Sequence, residues 1–219
     1  MQKSQKDLNR LPLLSALAAN LVLYYALSHG IDLSNLGTSE AIKHISTLLP
    51  SGFAIALCGI LNSQLTSMAK ARIVFLKWDN PLPGCEAFSR HAPEDPRIDM
   101  ASVEAKFGAL PTEPRAQNVL WYRLYQQTQD APAVIQISKN WLFARDYACV
   151  IALLTPTLAI VGAFDMPSAQ SYMAMMAILV GQFLLSSQAA RNNARRLVTT
   201  VIANAAAASE KSTKIEQSQ

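Results

Sequence analysis

Basic and aromatic residues alternate at two places in this 219-residue chain, around Lys70–Trp78 and around Trp121–Tyr125. Guanidinium and ammonium groups pair with phosphates, and bases stack on aromatic faces. This pattern is typical of a site for a phosphate-bearing oligonucleotide. The candidate ligand-binding residues are Lys70, Arg72, Lys77, Trp78, Arg115, Trp121, Tyr122, Arg123, Tyr125 and Arg145.

A second interpretation explains the same residues without a ligand. Lys70 and Arg72 would then be the positive charges that flank a membrane span on its cytoplasmic side. The tryptophans would anchor the chain at the membrane surface or pack in a core. The sequence leaves both interpretations open.

Ionisable side chains also crowd the proline-rich stretch Trp78–Asp99, where Glu94 and Asp95 follow His91. Acid–base catalysis needs such groups in a cleft with fixed geometry. Between prolines, Asx turns and surface ion pairs are the usual outcome. No nucleophile-elbow, zinc-protease or phosphate-loop motif is present. We therefore predict no enzyme activity, no catalytic residue and no cofactor.

The three cysteines are separated by long stretches of chain: Cys58, Cys85 and Cys149. None belongs to a CxxC motif or a Cys/His cluster, which are the patterns that hold zinc. The sequence therefore predicts no metal site.

Four blocks of the chain contain no Asp, Glu, Lys or Arg; they cover residues 11–31, 44–69, 147–164 and 166–190. A helix needs about 20 apolar residues to cross a bilayer. We predict an all-α membrane protein with four transmembrane helices, at about 11–29, 45–68, 147–165 and 170–189. The predicted parts are a first hairpin (1–68), a small helical, proline-rich insert with helix extensions (69–140), a second hairpin (141–190), and a helix extension with a disordered tail (191–219).

The orientation follows from the basic residues. Every Lys and Arg except Lys43 lies in residues 1–10, in the central segment 69–146 or in the tail after Ala190. Short segments rich in Lys and Arg stay in the cytoplasm. We therefore expect a multi-pass protein with its insert and both termini in the cytoplasm.

Polar residues recur on one face of the fourth predicted span and its extension, at Gln182, Ser186 and Asn193. They either line a water-filled pore or join helices through hydrogen bonds. The four blocks that contain the spans have no Asp, Glu, Lys or Arg, which argues against a proton-coupled pump. Because four helices leave little room for a pore, a pore would need a closed homo-oligomer, most plausibly a tetramer.

Within the insert, the stretch SMAKARIVFLKW is expected to continue the second span's helix by about two turns. The connector Trp78–Asp99 is expected to fold back against a helix at 112–129 that opens at Thr112. A shorter helix is expected to end at Gly108. Asp130 is expected to cap the helix of the third span.

Several phrases of the insert are distinctive: NPLPGCEAFS, APEDPRID and LPTEPRAQNVLWYRLY. With the basic-flanked third span, they resemble the small four-span inner-membrane effectors of Hailong-type anti-phage defence systems, over roughly residues 70–150. The resemblance implies an oligomeric ion channel in the bacterial inner membrane. It also implies a cognate nucleotidyltransferase as functional partner, whose single-stranded DNA oligomer keeps the channel closed until infection removes it.

Two functions of different classes are therefore expected. The first is an oligonucleotide-gated immune effector channel. The alternative is a non-channel membrane scaffold that recruits a cytoplasmic protein partner through the insert.

Overall fold

The computed structural model describes residues 9–30 and 60–216, and within them it is entirely helical, with no strand. The helices are α1 (Arg10–Ser28), α2 (Ser67–Phe75), α3 (Met100–Phe107), α4 (Pro114–Thr128), α5 (Pro132–Asp165) and α6 (Ala169–Glu216). A 3-10 turn (Pro83–Glu86) and a π-helical turn (Ala87–His91) lie between α2 and α3. We call residues 66–131 the connecting region.

Three helices are long and apolar enough to cross a membrane: Leu11–Ser28 of α1, the whole of α5, and Ala169–Ala207 of α6. They contain the first, third and fourth predicted spans. The second predicted span, 45–68, lies mostly outside the described residues. The described part of the chain is therefore all-helical, with three candidate membrane-spanning helices.

The three long helices pack side by side. Helices α5 and α6 form an antiparallel pair joined at residues 166–168. Helix α1 runs in the direction of α5, since the Asn9 amide donates to the Lys139 carbonyl (2.9 Å) at one end and the Tyr24 hydroxyl donates to Asp165 (2.9 Å) at the other. The start of α1 therefore lies on the same side as the connecting region.

The core has two parts. One joins the long helices through residues Leu17, Tyr24, Val150, Ile151, Leu154, Leu158, Met175 and Leu179. The other joins the connecting region to the Pro132 end of α5 and the distal half of α6; its most buried members include Val74, Ala87, Val103, Val134, Val198 and Ile202. The second part is what positions the candidate site.

Helix α2 does not continue the preceding helix, and that prediction was wrong. Residues 60–64 are helical, but the helix stops before Thr66. The Thr66 hydroxyl accepts from the Ala69 backbone N–H (3.1 Å) and caps a new helix. At its other end α2 stops at Phe75 because Leu76 takes the left-handed conformation, at φ 52°.

Two predicted helix starts are also corrected. Helix α4 is capped by Glu113 and not by Thr112, because the Glu113 carboxylate accepts from the backbone N–H groups of Arg115 and Ala116. Helix α5 begins at Pro132 after Ala131, and Asp130 does not cap it. Proline sits at the first helical position in both, where its missing N–H costs nothing.

Other local predictions are confirmed. Helix α3 ends at Gly108, with φ 80°. The proline-rich connector folds back on α4, although it forms two helical turns that the sequence pattern did not predict. The predicted extension of the fourth helix beyond residue 190 is present, but it continues to Glu216, into the tail that was expected to be disordered.

Candidate ligand-binding site

Three of the predicted ligand-binding residues meet around one cavity. Arg72 from α2, Trp78 from the following turn and Arg115 from the first turn of α4 line a space of ≈ 470 Å³. Its remaining wall includes Asp79 and Asn118. A volume of this size is within the usual range for small-ligand pockets.

Arg72 and Trp78 are held together by the end of α2. The Arg72 Nε donates to the Trp78 carbonyl (3.1 Å), and its guanidinium lies 5.5 Å from the centroid of the indole ring. The indole itself is 76% exposed. An exposed ring beside a cation is available for stacking, in a position that the left-handed Leu76 and Asn80 (φ 47°) fix.

The two arginines leave the cavity with a net positive charge. Both Arg72 and Arg115 are exposed. In the described part of the chain, neither guanidinium forms an ion pair with a carboxylate. The wall contributes one carboxylate, that of Asp79.

Gly84 sets the distance between the connector and α4. A Cβ at this position would lie 2.5 Å from the Asn118 Oδ1 and 2.8 Å from the Trp121 ring. Only glycine allows this approach. The glycine thereby brings Asn118 to the cavity and holds Trp121 against the connector.

Gln117 of α4 also holds the connector against this helix. Its side-chain oxygen accepts from the backbone N–H groups of Phe88 (3.0 Å) and Ser89 (3.1 Å). Its amide nitrogen donates to the Thr112 carbonyl (3.0 Å). Gln117 is 1% exposed, so these bonds satisfy a side-chain amide that water would not reach. The sequence pattern gave no indication of this role.

Lys77 lies in a neighbouring cavity of ≈ 310 Å³, which shares Asn80, Pro81 and Leu82 with the first. Its basic lining residues are Lys77, Arg90, Arg191 and Arg195. Sequence reasoning missed Arg191 and Arg195, although their four-residue spacing on a breaker-free helix places them on one face.

The carboxylate of Glu86 organises this second cavity. It accepts from Lys77 Nζ (2.5 Å) and from Arg90 (3.1 Å), and these bonds, with that to Lys77 first, hold the pKa of Glu86 below its ordinary value. Burial lowers the pKa of the adjacent His91. The Nδ1 of His91 is buried without a partner among the described residues.

The remaining aromatic candidates lie along other faces of α4. Trp121 and Tyr125 stack at 5.7 Å between ring centroids, and Tyr122 and Tyr125 at 6.0 Å. Trp121 is half-buried against the core, whereas Tyr122 and Arg123 are exposed. None of the four lines the cavity of Arg72 and Arg115.

Lys70 and Arg145 lie apart from this cavity, in a buried cluster with Asp146. Lys70 Nζ contacts the Asp146 Oδ1 at 3.0 Å. The Arg145 Nε donates to the same oxygen at 2.9 Å. The ion pair of Lys70 with Asp146 therefore connects α2 to α5, just before the third predicted span.

The predicted polar face is also assembled. Gln182, Ser186 and Asn193 line a groove of ≈ 490 Å³ between α5 and α6. The Tyr147 hydroxyl donates to Gln182 (3.2 Å) and receives a bond from Asn20 (3.4 Å), which connects all three long helices. Gln182 therefore links α6 to α5 through a hydrogen bond, and the face of α6 that carries it also borders the groove between these two helices.

Within the described residues, no group of three His, Cys, Asp or Glu side chains could hold a metal ion. Cys85 and Cys149 are buried thiols. The Asp95 carboxylate, which belongs to the proline-rich stretch Trp78–Asp99, forms an ion pair with Arg97 (2.7 Å), and that hydrogen-bonded pairing lowers the pKa of Asp95.

Comparisons with protein-family models, with curated proteins and with solved structures found no match for this chain.

Proposed function

We propose that this protein is an ion channel effector of bacterial anti-phage defence, closed by a single-stranded DNA oligomer at the cavity of Arg72, Trp78 and Arg115. It has four spans in the inner membrane, with the connecting region and both termini in the cytoplasm. The observation that supports gating is the position of α2, whose exposed face carries Arg72 and whose buried face carries Lys70.

The cavity suits one phosphate with a neighbouring base. Two exposed guanidinium groups attract an anion, and bidentate bonds to phosphate favour arginine over lysine. The exposed indole of Trp78 offers a stacking surface worth about 1–3 kcal/mol for a base. Because every base has a stacking face, such a site is tolerant of sequence.

Ligand binding would act on the membrane helices through α2. This helix is tied to α5 by the ion pair of Lys70 with Asp146, and to α6 by the bond from Arg191 Nε to the Val74 carbonyl (2.8 Å). A ligand that draws Arg72 towards Arg115 restrains α2, and its loss releases the helix. The channel responds to the extent that the ligand binds the closed state more tightly than the open one.

The pore requires several copies of the chain. We propose a homotetramer whose pore is bordered by the groove with Gln182, Ser186 and Asn193. A cognate nucleotidyltransferase would supply the oligomer. The mass of the protein in mild detergent tests the oligomeric state, and a monomer would contradict the channel.

The test is ion flux through purified protein in liposomes. We expect ion flux through the protein alone. This flux should decrease when a single-stranded DNA oligomer is added on the side of the connecting region. Absence of flux under both conditions would contradict a channel.

One observation favours the alternative, a membrane scaffold. Trp78, Val119 and Tyr122 are large apolar side chains that are at least half exposed on the connecting region, at 76%, 51% and 51%. Such exposure is typical of a protein-docking surface. A tight protein partner, in a preparation that conducts no ions, would support the scaffold in place of the channel.

A further inference from the structure

The buried cluster of Lys70, Arg145 and Asp146 carries an excess positive charge. Lys70 is 6% exposed and Arg145 is 7% exposed. Both pair with a single carboxylate oxygen, the Oδ1 of Asp146, at 3.0 Å and 2.8 Å. Among the described residues, no second carboxylate forms an ion pair with either cation.

An uncompensated buried charge is costly, and the cost falls if an anion binds beside it. The Trp141 ring, 5.7 Å from the Arg145 guanidinium, supplies only a partial counter-interaction. Among the described residues, the cluster therefore lacks the one negative charge that would balance it.

A cavity of ≈ 440 Å³ opens beside the cluster, and both cations line it. The opposite wall is apolar and comes from Leu13, Leu14, Leu65 and Phe143. A charged floor with an apolar wall matches an amphiphile that has an acidic headgroup.

One residue of the cavity lining, Asn62, has an unsatisfied acceptor. The Asn62 Oδ1 is buried and has no partner among the described residues, and Asn62 is 5% exposed. A hydroxyl on the bound headgroup would donate to it. The unsatisfied acceptor of Asn62 is an observation independent of the charge excess. Together the two observations match a headgroup that carries both a phosphate and a hydroxyl.

The cavity lies at the level along the membrane normal where lipid headgroups are expected. Its lining comes from the start of α1, from residues 62–67 and from Phe143–Asp146 of α5. These are the places where the first predicted span begins, the second ends and the third begins. All three boundaries meet at one membrane surface.

We propose that this cavity binds one anionic phospholipid, with its phosphate at Lys70 and Arg145 and a headgroup hydroxyl at Asn62. Phosphatidylglycerol has this chemistry. The inference depends on the long helices spanning a bilayer, but not on a channel, an oligonucleotide or the cavity of Arg72.

The test uses the full-length protein in mild detergent, stripped of lipid, and compares phosphatidylglycerol, phosphatidylcholine and inorganic phosphate as added ligands. We expect native mass spectrometry to retain one phosphatidylglycerol per chain. We expect the melting temperature to rise by about 3–6 °C at ten times the Kd. Equal effects of phosphatidylcholine would overturn the proposal. An equal effect of inorganic phosphate would assign the site to a soluble anion and overturn the lipid.

Lys70→Met provides the matched variant, because it removes one charge and leaves the neutral pair of Arg145 with Asp146. We expect it to fold and to lose affinity for phosphatidylglycerol by about tenfold or more. Lys139→Met removes the same charge from α5 outside the cavity lining and should retain the lipid. Unchanged lipid retention in Lys70→Met would overturn the site.

Leu14→Trp gives a second readout that leaves all charges in place. Leu14 is half exposed on the apolar wall, so the larger ring obstructs the cavity without entering the core. We expect reduced lipid retention at an unchanged melting temperature of the lipid-free protein. Full retention would contradict a lipid lying against this wall.

Discussion

Lys70 and Arg72 are two residues apart on α2, yet they contact different parts of the molecule: Lys70 Nζ lies 3.0 Å from Asp146 on α5, and Arg72 Nε lies 3.1 Å from the Trp78 carbonyl. Two residues on a helix are separated by about 200° of rotation. One side chain therefore faces the long helices and the other faces solvent. The same short helix therefore connects an exposed cation to a buried ion pair that lies just before the third predicted span.

Gly84→Ala should destabilise the connecting region by about 1–3 kcal/mol, because the added methyl group would overlap Asn118 and Trp121. Chemical denaturation followed by tryptophan fluorescence measures the change. Gly181→Ala is the matched control, since a Cβ there meets no atom within 4 Å and alanine favours a helix. Equal stability of the two variants would contradict the close packing at Gly84.

The connecting region should lose stability as the pH falls below about 6.5. Burial lowers the pKa of His91 below that ordinary value, so the unfolded chain binds the proton first. Below about pH 4 stability should fall more steeply. Glu86 pairs with Lys77, and Asp95 pairs with Arg97, so the pKa of each carboxyl is lower in the folded protein than in the unfolded chain.

Denaturation midpoints at pH 7.5 and pH 5.5 measure the first of these steps. His91→Gln, which cannot titrate, should show a smaller difference between the two pH values. A difference that is unchanged in this variant would assign the effect to other groups.

Binding of a single-stranded DNA oligomer should separate charge from stacking. Arg115→Ala should lower the dependence of log K on log salt by about 0.7, the value for one phosphate contact on a single strand. Trp78→Ala should cost about 1–3 kcal/mol with little change in that slope. Fluorescence anisotropy across a salt series measures both.

Arg196→Ala serves as the control for that series, because this exposed arginine lines neither basic cavity. An equal loss of affinity in Arg196→Ala and Arg115→Ala would indicate diffuse attraction instead of a site.

The membrane orientation is testable by reporter fusions. A reporter after Gln219 should be cytoplasmic, and one near Asn35 should be periplasmic, because Lys43 is the only Lys or Arg outside residues 1–10, 69–146 and 191–219, the three segments predicted to be cytoplasmic. A periplasmic C-terminus would contradict the whole arrangement.

The long helices were predictable because membrane spans depend on composition over many residues. Uncharged blocks placed α1, α5 and α6 correctly. The breaks of α2 at Thr66 and Leu76 were not predictable in the same way, since neither glycine nor proline marks them. Tertiary contacts and a hydroxyl cap decide those ends, and local propensity does not.

The candidate site was predictable in its residue types but not in its grouping. Alternation of basic and aromatic residues pointed to Arg72 and Trp78, and Arg115 was included as a further basic residue of the insert. The same list of candidates included Lys70 and Arg145, which pair with a carboxylate distant in sequence from Lys70. Gln117 carried no sequence signal, because a buried amide acquires its role only from the backbone groups that fold around it.

The most direct measurement of the gating claim is ion flux in liposomes containing the Arg72→Ala, Arg115→Ala double variant, with wild type and Arg196→Ala in parallel. We predict that all three conduct ions without ligand and that the DNA oligomer closes only wild type and Arg196→Ala. Closure of the double variant at the same oligomer concentration as wild type would contradict the proposed site.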